Sequence, residues 1–375
     1  MWTFPAQLED ALWTAAAAQL PAGALDGRSL AHAIAERTRR YTSERERLRA
    51  PIASADRARD LAARALFFTV ADAAKIGVPI AELVGRGLVP GGEGDAPLRV
   101  LDLGAGCGAM TLGLAAALPE RRLDVTAVDT DEAALTLFAA AAAAAPSLAE
   151  RVTLAIRRAD AAAHATLPAG PFDLIVAGTL LNELPEAAHA PLARALLARL
   201  TPDGALVLIE PALRDTARTL HALRDSLLSA RDAHVFAPCT RAGAPCPALA
   251  DAKDWCHEDR PFQPPPRLRR LIQATGLRER GLKFAYLTLR RPEASLVAVP
   301  AGRRALRVVS DALDGKGTIE RKVCGDEGRV SLRLFRRERG DAGRALAHSR
   351  RGDVLVASGP PGSAEALELH RPADE

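Results

Sequence analysis

A glycine-rich run at residues 101–108, which reads LDLGAGCG, restricts the fold of this 375-residue chain more than any other local pattern. The run follows an apolar, strand-like segment and precedes a helix-like one. Glycines in such a turn let the backbone bend tightly and approach a ligand that a Cβ atom would exclude. Dinucleotide-binding enzymes use a similar turn spaced G-x-G-x-x-G, whereas this run reads G-x-G-x-G. The spacing therefore disfavours NAD.

Short apolar runs alternate with helix-like stretches from Leu98 onward. Parallel strands need crossover connections of this kind, and the connecting helices cover both faces of the sheet. The pattern predicts an α/β fold with a parallel sheet that binds its ligand at the carboxyl ends of the strands. The predicted strands are RVLDLGAG, LDVTAVDTD, VTLAIRRAD, FDLIVAGTLL and ALVLIEP, with KFAYLTLRR completing the sheet.

Two aspartates follow neighbouring strands in register with the glycine run. Asp129 ends the second strand, where it can accept hydrogen bonds from two ribose hydroxyls, and Asp160 ends the third. Strand, glycine run and paired acids resemble the Rossmann-like class I methyltransferases. The resemblance implies S-adenosylmethionine as cofactor, with Asp160 near the adenine amine. The residues that it implies for cofactor binding are Asp102, Gly104, Gly106, Gly108, Asp129 and Asp160.

The segment after the fourth strand, LNELP at residues 181–185, holds the catalytic candidates Asn182 and Glu183. Simpler roles are open to several of these residues: Asn182 and Asp160 would also suit helix caps, and Asp102 would suit a turn. No general base stands out in the sequence. Methyl transfer from a sulfonium depends mainly on in-line placement, so catalysis does not require one.

Four cysteines lie outside the glycine run, separated by six, nine and sixty-seven residues: Cys239, Cys246, Cys256 and Cys324. These are not the CxxC pairs of a zinc ribbon. Three of them share a Pro-rich, loop-like segment, and the fourth is distant, which suits a site held between a loop and another domain. Four thiolates ligate either zinc or an iron–sulfur cluster. The spacing alone fits unrelated buried thiols equally well.

Longer motifs surround these cysteines: APC at 237–239, CP at 246–247 and DWCH at 254–257. Together with NEL at 182–184, IEP at 209–211, FAYL at 284–287 and RGD at 351–353, they resemble methyltransferase-like proteins of the small ribosomal subunit. Those proteins are known from mitochondria as assembly factors and have bacterial relatives. The resemblance covers roughly residues 30–360. It implies that the four cysteines hold a 4Fe-4S cluster, with zinc as the alternative.

The sequence departs from that family at a few positions beside the cysteines. Thr240 and Arg241 replace the Pro-His that typically follows the first cysteine, and Glu258 replaces an aromatic residue. Neither change removes a ligand. His257 would be a group beside the metal, a substitute ligand or an ordinary exposed histidine.

Positive charge is concentrated in two blocks, although the net charge of the chain is only +4. Residues 260–290 hold eight Lys or Arg against one acid, and residues 321–351 hold ten against four. The blocks would be solvated faces or a surface that attracts a phosphate backbone. With the family resemblance, they favour ribosomal RNA as partner.

The chain divides by composition into an N-terminal helical region (1–90), a cofactor domain (91–295) and a small C-terminal β-domain (296–375). A Cys-rich segment (236–266) is inserted in the cofactor domain, and residues 85–97 read as a linker. Residues 37–49, dense in Arg and Glu, predict an exposed helix. No apolar stretch reaches the roughly 20 residues of a membrane span. The N-terminus has no secretory or transit pattern, which predicts a cytoplasmic protein.

The expected function is an S-adenosylmethionine-dependent methyltransferase that acts on the small ribosomal subunit and carries a structural 4Fe-4S cluster. A non-catalytic assembly factor that binds S-adenosylmethionine and RNA is the alternative. A small-molecule methyltransferase with a four-cysteine zinc site is a third hypothesis, which the basic blocks argue against.

Overall fold

The computed structural model describes residues 2–48, 50–91, 96–241, 243, 245–277, 281–337, 340–359 and 366–373. Its contacts divide the chain into two compact units. The first comprises Met1–Gly77, Pro90–Gly204 and Arg260–Leu282, and the second Val78–Val89, Ala205–Asp259 and Lys283–Glu375. Residues 92–95 of the expected linker lie outside the described part of the chain.

The helices of the chain are mostly short. In chain order they are α1 (Ala6–Gln19), α2 (Ala22–Leu25), α3 (Gly27–Thr42), α4 (Arg57–Ala63), α5 (Val70–Ala73), α6 (Gly77–Gly85), α7 (Ala109–Ala117), α8 (Glu132–Ala144), α9 (Pro146–Ala149), α10 (Glu186–Leu197), α11 (Arg214–Ala230), α12 (Pro266–Thr275) and α13 (Asp341–His348).

The strands of the described residues belong to three sheets. In chain order they are β1 (Trp2–Thr3), β2 (Leu98–Leu103), β3 (Leu123–Asp129), β4 (Val152–Arg158), β5 (Phe172–Gly178), β6 (Leu200–Pro211), β7 (His234–Ala237), β8 (Glu258–Arg260), β9 (Phe262–Gln263), β10 (Leu282–Arg290), β11 (Arg304–Val308), β12 (Thr318–Gly325), β13 (Gly328–Phe335), β14 (Val354–Ser358) and β15 (Ala366–His370).

Parallel strands form the centre of the first unit, in the order β4–β3–β2–β5. Val100 of β2 pairs with Val125 of β3 on one side and Leu174 of β5 on the other. Every residue of β5 is buried, as expected for a strand covered on both faces. Helices connect these strands, so their carboxyl ends meet at one edge of the sheet, where the glycine run begins.

The alanine-rich run after β3 forms α8. Asp131 caps this helix because its Oδ1 accepts hydrogen bonds from the backbone N–H groups of Ala133 and Ala134. Leu137 and Phe138 are fully buried on its inner face. Alanine, the best helix former, therefore fills a helix whose larger side chains anchor it.

Antiparallel pairing dominates the second unit. Strand β10 lies between β6 and β7 and is antiparallel to both. A separate antiparallel sheet has the order β13–β12–β11–β14–β15 and packs its inner face around Val323, Leu355 and Leu346 of α13. Burying a side chain of this size stabilises the fold by about 1.5–3 kcal/mol. The predicted α/β fold with a small C-terminal β-domain is confirmed.

Some sequence expectations for individual elements were wrong. The strand-like runs expected in the C-terminal β-domain are RALRVVSDAL, RVSLRLFRR, DVLVAS and ALELHR. Thr318–Gly325 is not among them, yet this segment is β12 and carries Cys324. Helix α3 ends at Thr42, and the segment expected to be an exposed helix buries Arg37 and Arg40. Arg37 Nε donates to Asp60 at 2.7 Å. The arginine is buried because this carboxylate compensates for its desolvation.

Among the described residues, no helix is both long and apolar enough to cross a bilayer.

Candidate cofactor site and cysteine site

The glycine run forms a left-handed turn between β2 and α7. Gly104, Gly106 and Gly108 have φ values of 72°, 52° and 89°. A Cβ atom at Gly108 would lie 2.2 Å from Phe138 Cδ2, and one at Gly104 would lie 3.0 Å from Leu180 Cδ1. Glycine is therefore required here for both conformation and space.

A cavity lies beside this turn, and Asp102 does not line it. The side chain lies behind the turn instead. It is fully buried in β2, and its Oδ2 accepts hydrogen bonds from the backbone N–H and the hydroxyl of Thr111, at 3.1 and 2.6 Å. Burial raises the pKa of Asp102 to about 6, while the bonds from Thr111 oppose the shift. The turn-residue alternative is wrong for Asp102, which fastens α7 to the strand.

Asp129 and Asp160 both line the cavity beside the turn. Asp129 Oδ2 accepts the backbone N–H of Gly106, and its Oδ1 accepts that of Asp131, both at 2.8 Å. Asp160 Oδ1 accepts the N–H of Ala162 at 2.8 Å. A 3-10 turn, not an α-helix, follows Asp160, so it caps a turn only.

The cavity has a volume of about 610 Å³, within the range of small-molecule sites. Gly104, Gly106, Asp129, Asp160 and Glu183 line it, whereas Gly108 and Asn182 do not. Side chains from the N-terminal helices also line it, which sequence reasoning missed. These are Arg37, Tyr41, Arg64, Phe68, Thr69 and Asp72.

Arg64 is the basic group of this helical wall nearest the turn. It forms an ion pair with Asp131. Burial by itself lowers the pKa of Arg64, but Cys107, Tyr41 and Asp131 outweigh it and leave the pKa raised. Arg64 lies in an apolar, helix-like run, so no local signal marks it as a cavity residue.

The loop after β5 carries the catalytic candidates. Thr179 has a positive φ of 57°, and Asn182 Nδ2 donates to the Thr179 carbonyl at 2.7 Å. His189 Nε2 lies 2.8 Å from the carbonyl oxygen of Leu181. The residue before α10 is Pro185, which makes no side-chain cap, so the cap alternative for Asn182 is wrong. Asn182 holds the strained turn, and Glu183 faces the cavity.

The four cysteines outside the turn line a single cavity of about 40 Å³ in the second unit. Burial, together with the charges of the neighbouring cysteines, raises the pKa of Cys246 to about 11 and of Cys324 to about 12. The same causes raise the pKa of Cys256 well above its ordinary value. All five cysteines are free thiols. In the described part of the chain, no group of three or more His, Cys, Asp or Glu residues is arranged to hold a metal ion.

One face of α11 holds the backbone of the cysteine segment. Arg224 Nη2 donates to the carbonyls of Arg241 and Gly243, at 3.0 and 2.9 Å. Asp225 Oδ2 accepts the backbone N–H of Cys246 at 2.7 Å. These contacts fix the loop between the first two cysteines.

The same face of α11 continues one and two turns earlier. Arg218 Nη1 donates to the carbonyls of Ala248, Asp251 and Asp254, at 2.9, 2.7 and 2.8 Å. His221 Nε2 lies 3.1 Å from the Cys256 carbonyl oxygen. Residues 218, 221, 224 and 225 follow helical spacing, so one stripe fastens the whole segment.

The residues that depart from the family pattern, Thr240, Arg241 and Glu258, each form hydrogen bonds within the second unit. Thr240 Oγ1 donates to the Cys324 carbonyl at 3.0 Å, and Arg241 Nη1 donates to that of Asp326 at 2.8 Å. Glu258 is buried and accepts from Arg307 at 2.9 Å. His257 lines the cysteine cavity and stacks on Trp255, with ring centroids 5.7 Å apart.

Several arginines of the two basic blocks are bound within the protein. Arg260, Arg290 and Arg321 are buried. Arg329 pairs with Asp254, and Arg351 with Asp311. Residues 278–280 and 338–339 lie outside the described part of the chain. The surface charge of the blocks is therefore smaller than their composition predicts.

Comparison with protein families identifies the chain's relatives. The model of the family described as "Mitochondrial small ribosomal subunit Rsm22" matches residues 93–356. The chain belongs to this family. The match extends from the linker before the glycine run, through all four cysteines, to β14, and confirms the resemblance expected from the motifs.

The fold of this Rsm22-family chain also has similar solved structures. Magnesium protoporphyrin IX methyltransferase from Synechocystis PCC 6803 with bound SAM is 16% identical, with 69% of this chain and 97% of that chain covered and a TM-score of 0.38. The mitomycin 7-O-methyltransferase MmcR is 18% identical, with 64% and 59% covered and a TM-score of 0.32. No curated protein matches the chain.

Proposed function

We propose that this Rsm22-family chain is an S-adenosylmethionine-dependent, methyltransferase-like protein of the small ribosomal subunit. One observation carries the cofactor part of the proposal: the glycine turn, Asp129 and Asp160 surround a cavity of about 610 Å³. The family description supports the ribosomal part.

The residues of the turn fit the cofactor. A Cβ atom at Gly106 would lie 3.7 Å from Arg64 Nη2 and 4.0 Å from Asp129 Oδ2, so it would enter the space between them. Glycine keeps that space open for a ligand. Asp129 would hold the ribose hydroxyls and Asp160 the adenine amine. The cofactor supplies a sulfonium methyl group, and the protein supplies its placement.

Catalysis depends on the loop after β5. Glu183 faces the cavity and is the candidate to contact the methyl acceptor, while Asn182 positions the loop through the Thr179 carbonyl. The second candidate function is a non-catalytic assembly factor. One observation supports it: the Asn182 amide already donates to the Thr179 carbonyl, so this N–H group is not available to a methyl acceptor.

We also propose that Cys239, Cys246, Cys256 and Cys324 hold a 4Fe-4S cluster, with zinc as the alternative. Their common cavity supports this, as does Arg224, a buried cation that lines the same cavity and would offset thiolate charge. The cluster would be structural and would link the cysteine segment to β12. It would reverse the raised thiol pKa values, because metal binding favours thiolates.

Ribosomal RNA is the proposed partner, through exposed residues of the two basic blocks such as Arg270, Lys322 and Arg337. We propose a cytoplasmic location, where five free thiols remain reduced. The division into regions 1–90, 91–295 and 296–375 is likewise a proposal.

Calorimetric titration of the purified protein with S-adenosylmethionine tests the cofactor site. The wild type should bind, and Asp129→Ala should lose at least tenfold in affinity. Asp124→Ala, an exposed aspartate on the same strand, is the matched control and should bind as the wild type does. Absence of binding to the wild type, or equal binding by Asp129→Ala, would overturn the cofactor proposal.

Methyl transfer has a separate test. Small subunits from cells that lack the protein are incubated with it and S-adenosylmethionine labelled in the methyl group. Label in the RNA that Glu183→Ala abolishes would establish catalysis. No label, with S-adenosylmethionine still bound, would leave the assembly-factor function.

A further inference from the structure

The hairpin β12–β13 has one face that the C-terminal core does not use. Side chains alternate across a strand, and directly paired residues share a face. Ile319, Val323 and Leu332 point into the core. The opposite face carries the pairs Thr318 with Phe335, Glu320 with Arg333, and Lys322 with Ser331. We call these six residues the hairpin face.

Phe335 is unusual on this face. Its exposed fraction is 49%. It is the last residue of β13, a strand whose opposite face carries Leu332 of the core and Leu334, which packs against the core. The guanidinium of Arg337 lies over its ring, with Cζ 4.8 Å from the ring centroid. The exposed ring and the guanidinium over it form one stack, and unpaired bases stack both on aromatic rings and on the planes of Arg guanidinium groups.

Positive charge surrounds this ring. Lys322 and Arg333 lie on the hairpin face, and Lys316, Arg336 and Arg337 lie in the adjoining turns, all exposed. Two carboxylates oppose them: Glu320 pairs with Arg333, and Asp314 with Arg336. The balance is cationic, which complements a phosphate backbone.

The hairpin face is accessible within its unit: Lys322, Ser331, Arg333 and Phe335 are exposed, and Thr318 and Glu320 are half-buried. The edge of β13 is accessible as well. This strand is the outermost of its five-stranded sheet. A second copy of the chain is a poor occupant of this edge, because two cationic edges would repel each other. A flexible polyanion with bases free to stack has no such penalty.

We propose that the hairpin face binds single-stranded RNA, with a base stacked on Phe335 and phosphates on Lys322 and Arg333. This rests on the proposed RNA partner and specifies the surface and the form of RNA. Double-stranded RNA keeps its bases paired and would use only the cations. The far end of the same face reaches Cys324 and Arg329, which line the cysteine cavity. The face therefore adjoins the segment that the proposed cluster would order.

Fluorescence anisotropy with a labelled 12-nucleotide single-stranded RNA and a duplex of equal length tests this. Removing a stacking side chain typically lowers affinity by roughly 5- to 150-fold. Phe335→Ala should therefore bind the single strand at least about fivefold more weakly, with an unchanged salt dependence and little effect on the duplex. Phe335→Trp should restore affinity. Val299→Ala, another exposed apolar residue of this unit, is the matched control.

Lys322→Ala should act differently from Phe335→Ala. Loss of one phosphate contact should reduce the slope of log affinity against log salt by about 0.7 for a single strand. If Phe335→Ala binds the single strand as tightly as the wild type does, the proposal that the hairpin face binds RNA is overturned. RNA binding by the wild type would in that case still support RNA as the partner. An equal loss for duplex, or reduced self-association in place of reduced RNA binding, would also overturn the proposal. No binding by the wild type would instead reject the RNA partner itself.

Discussion

The carboxylate of Asp129 accepts a hydrogen bond from the backbone N–H of Gly106, with 2.8 Å between oxygen and nitrogen. This bond joins the carboxyl end of β3 to the glycine turn that follows β2. It aligns the two groups that the sequence predicts for cofactor binding. The turn is therefore held in its open, left-handed form before any ligand arrives.

The first prediction concerns that turn. Gly106→Ala should lower the free energy of unfolding by about 1–2 kcal/mol, because an L-residue is strained at positive φ. Its affinity for S-adenosylmethionine should fall further, since the added Cβ enters the cavity. Chemical denaturation and calorimetric titration measure the two effects. Gly27→Ala, where a Cβ meets nothing within 4 Å, should leave the cofactor affinity unchanged and should not lower the free energy of unfolding. Normal cofactor affinity in Gly106→Ala would contradict the geometry.

The second prediction concerns the cysteines. Anaerobically purified wild type should contain iron and sulfide in near-equal amounts, and Cys256→Ser should lose both and melt at a lower temperature. Cys107→Ser removes the thiol in the glycine turn and should retain the metal. Stoichiometric zinc without sulfide would replace the cluster with the zinc alternative. Unchanged metal content and melting temperature in Cys256→Ser would refute the metal site.

The third prediction concerns the stripe on α11. Arg224 is 1% exposed and donates to the carbonyls of Arg241 and Gly243, which lie in the loop between the first two cysteines. Arg224→Ala should destabilise the protein by about 3 kcal/mol, because Asp225 and two carbonyls lose a buried partner. It should also release metal faster to a chelator. Arg214→Ala, exposed on the same helix, is the control. Equal metal retention in the two variants would show that the stripe does not position the cysteines.

The fourth prediction is a pH dependence from Asp102. Its pKa is raised to about 6 in the folded protein, against 3.8 ordinarily, mainly by burial. Below pH 3.8 the group is neutral in both states and costs nothing. As the pH rises towards 6, the unfolded chain loses its proton first, so stability falls, by about 3 kcal/mol in total.

Asp102→Asn should remove this contribution. The variant should show a flatter dependence of unfolding free energy on pH between 4 and 6 than the wild type. Denaturation at several pH values measures it, and Asp124→Asn, an exposed aspartate, should keep the wild-type slope. Parallel pH profiles for Asp102→Asn and the wild type would disprove the assignment.

Sequence patterns were sufficient for the features that depend on neighbouring residues. The alternation of apolar and helical runs predicted the parallel sheet, and the glycine run predicted a tight turn that a ligand can approach closely. Asp129 and Asp160 could be placed because a residue that ends a parallel strand lies at the ligand-binding edge. Motifs around the cysteines were sufficient for the family.

Only the tertiary structure decided which distant side chains complete each site. Arg64 reaches the cofactor cavity by pairing with Asp131, sixty-seven positions later. The arginines of the stripe on α11 donate to backbone carbonyls of the cysteine segment, which lies later in the chain. Cys324 lies beside the other three cysteines because it belongs to the unexpected strand β12. The two basic blocks expose less positive charge than their composition predicts, because some of their arginines, such as Arg321, are buried or paired. Helix and strand periods and turn chemistry act over a few residues, so sequence can reveal them. The partner of a buried charge is set by packing between segments far apart in the chain, and no local pattern records it.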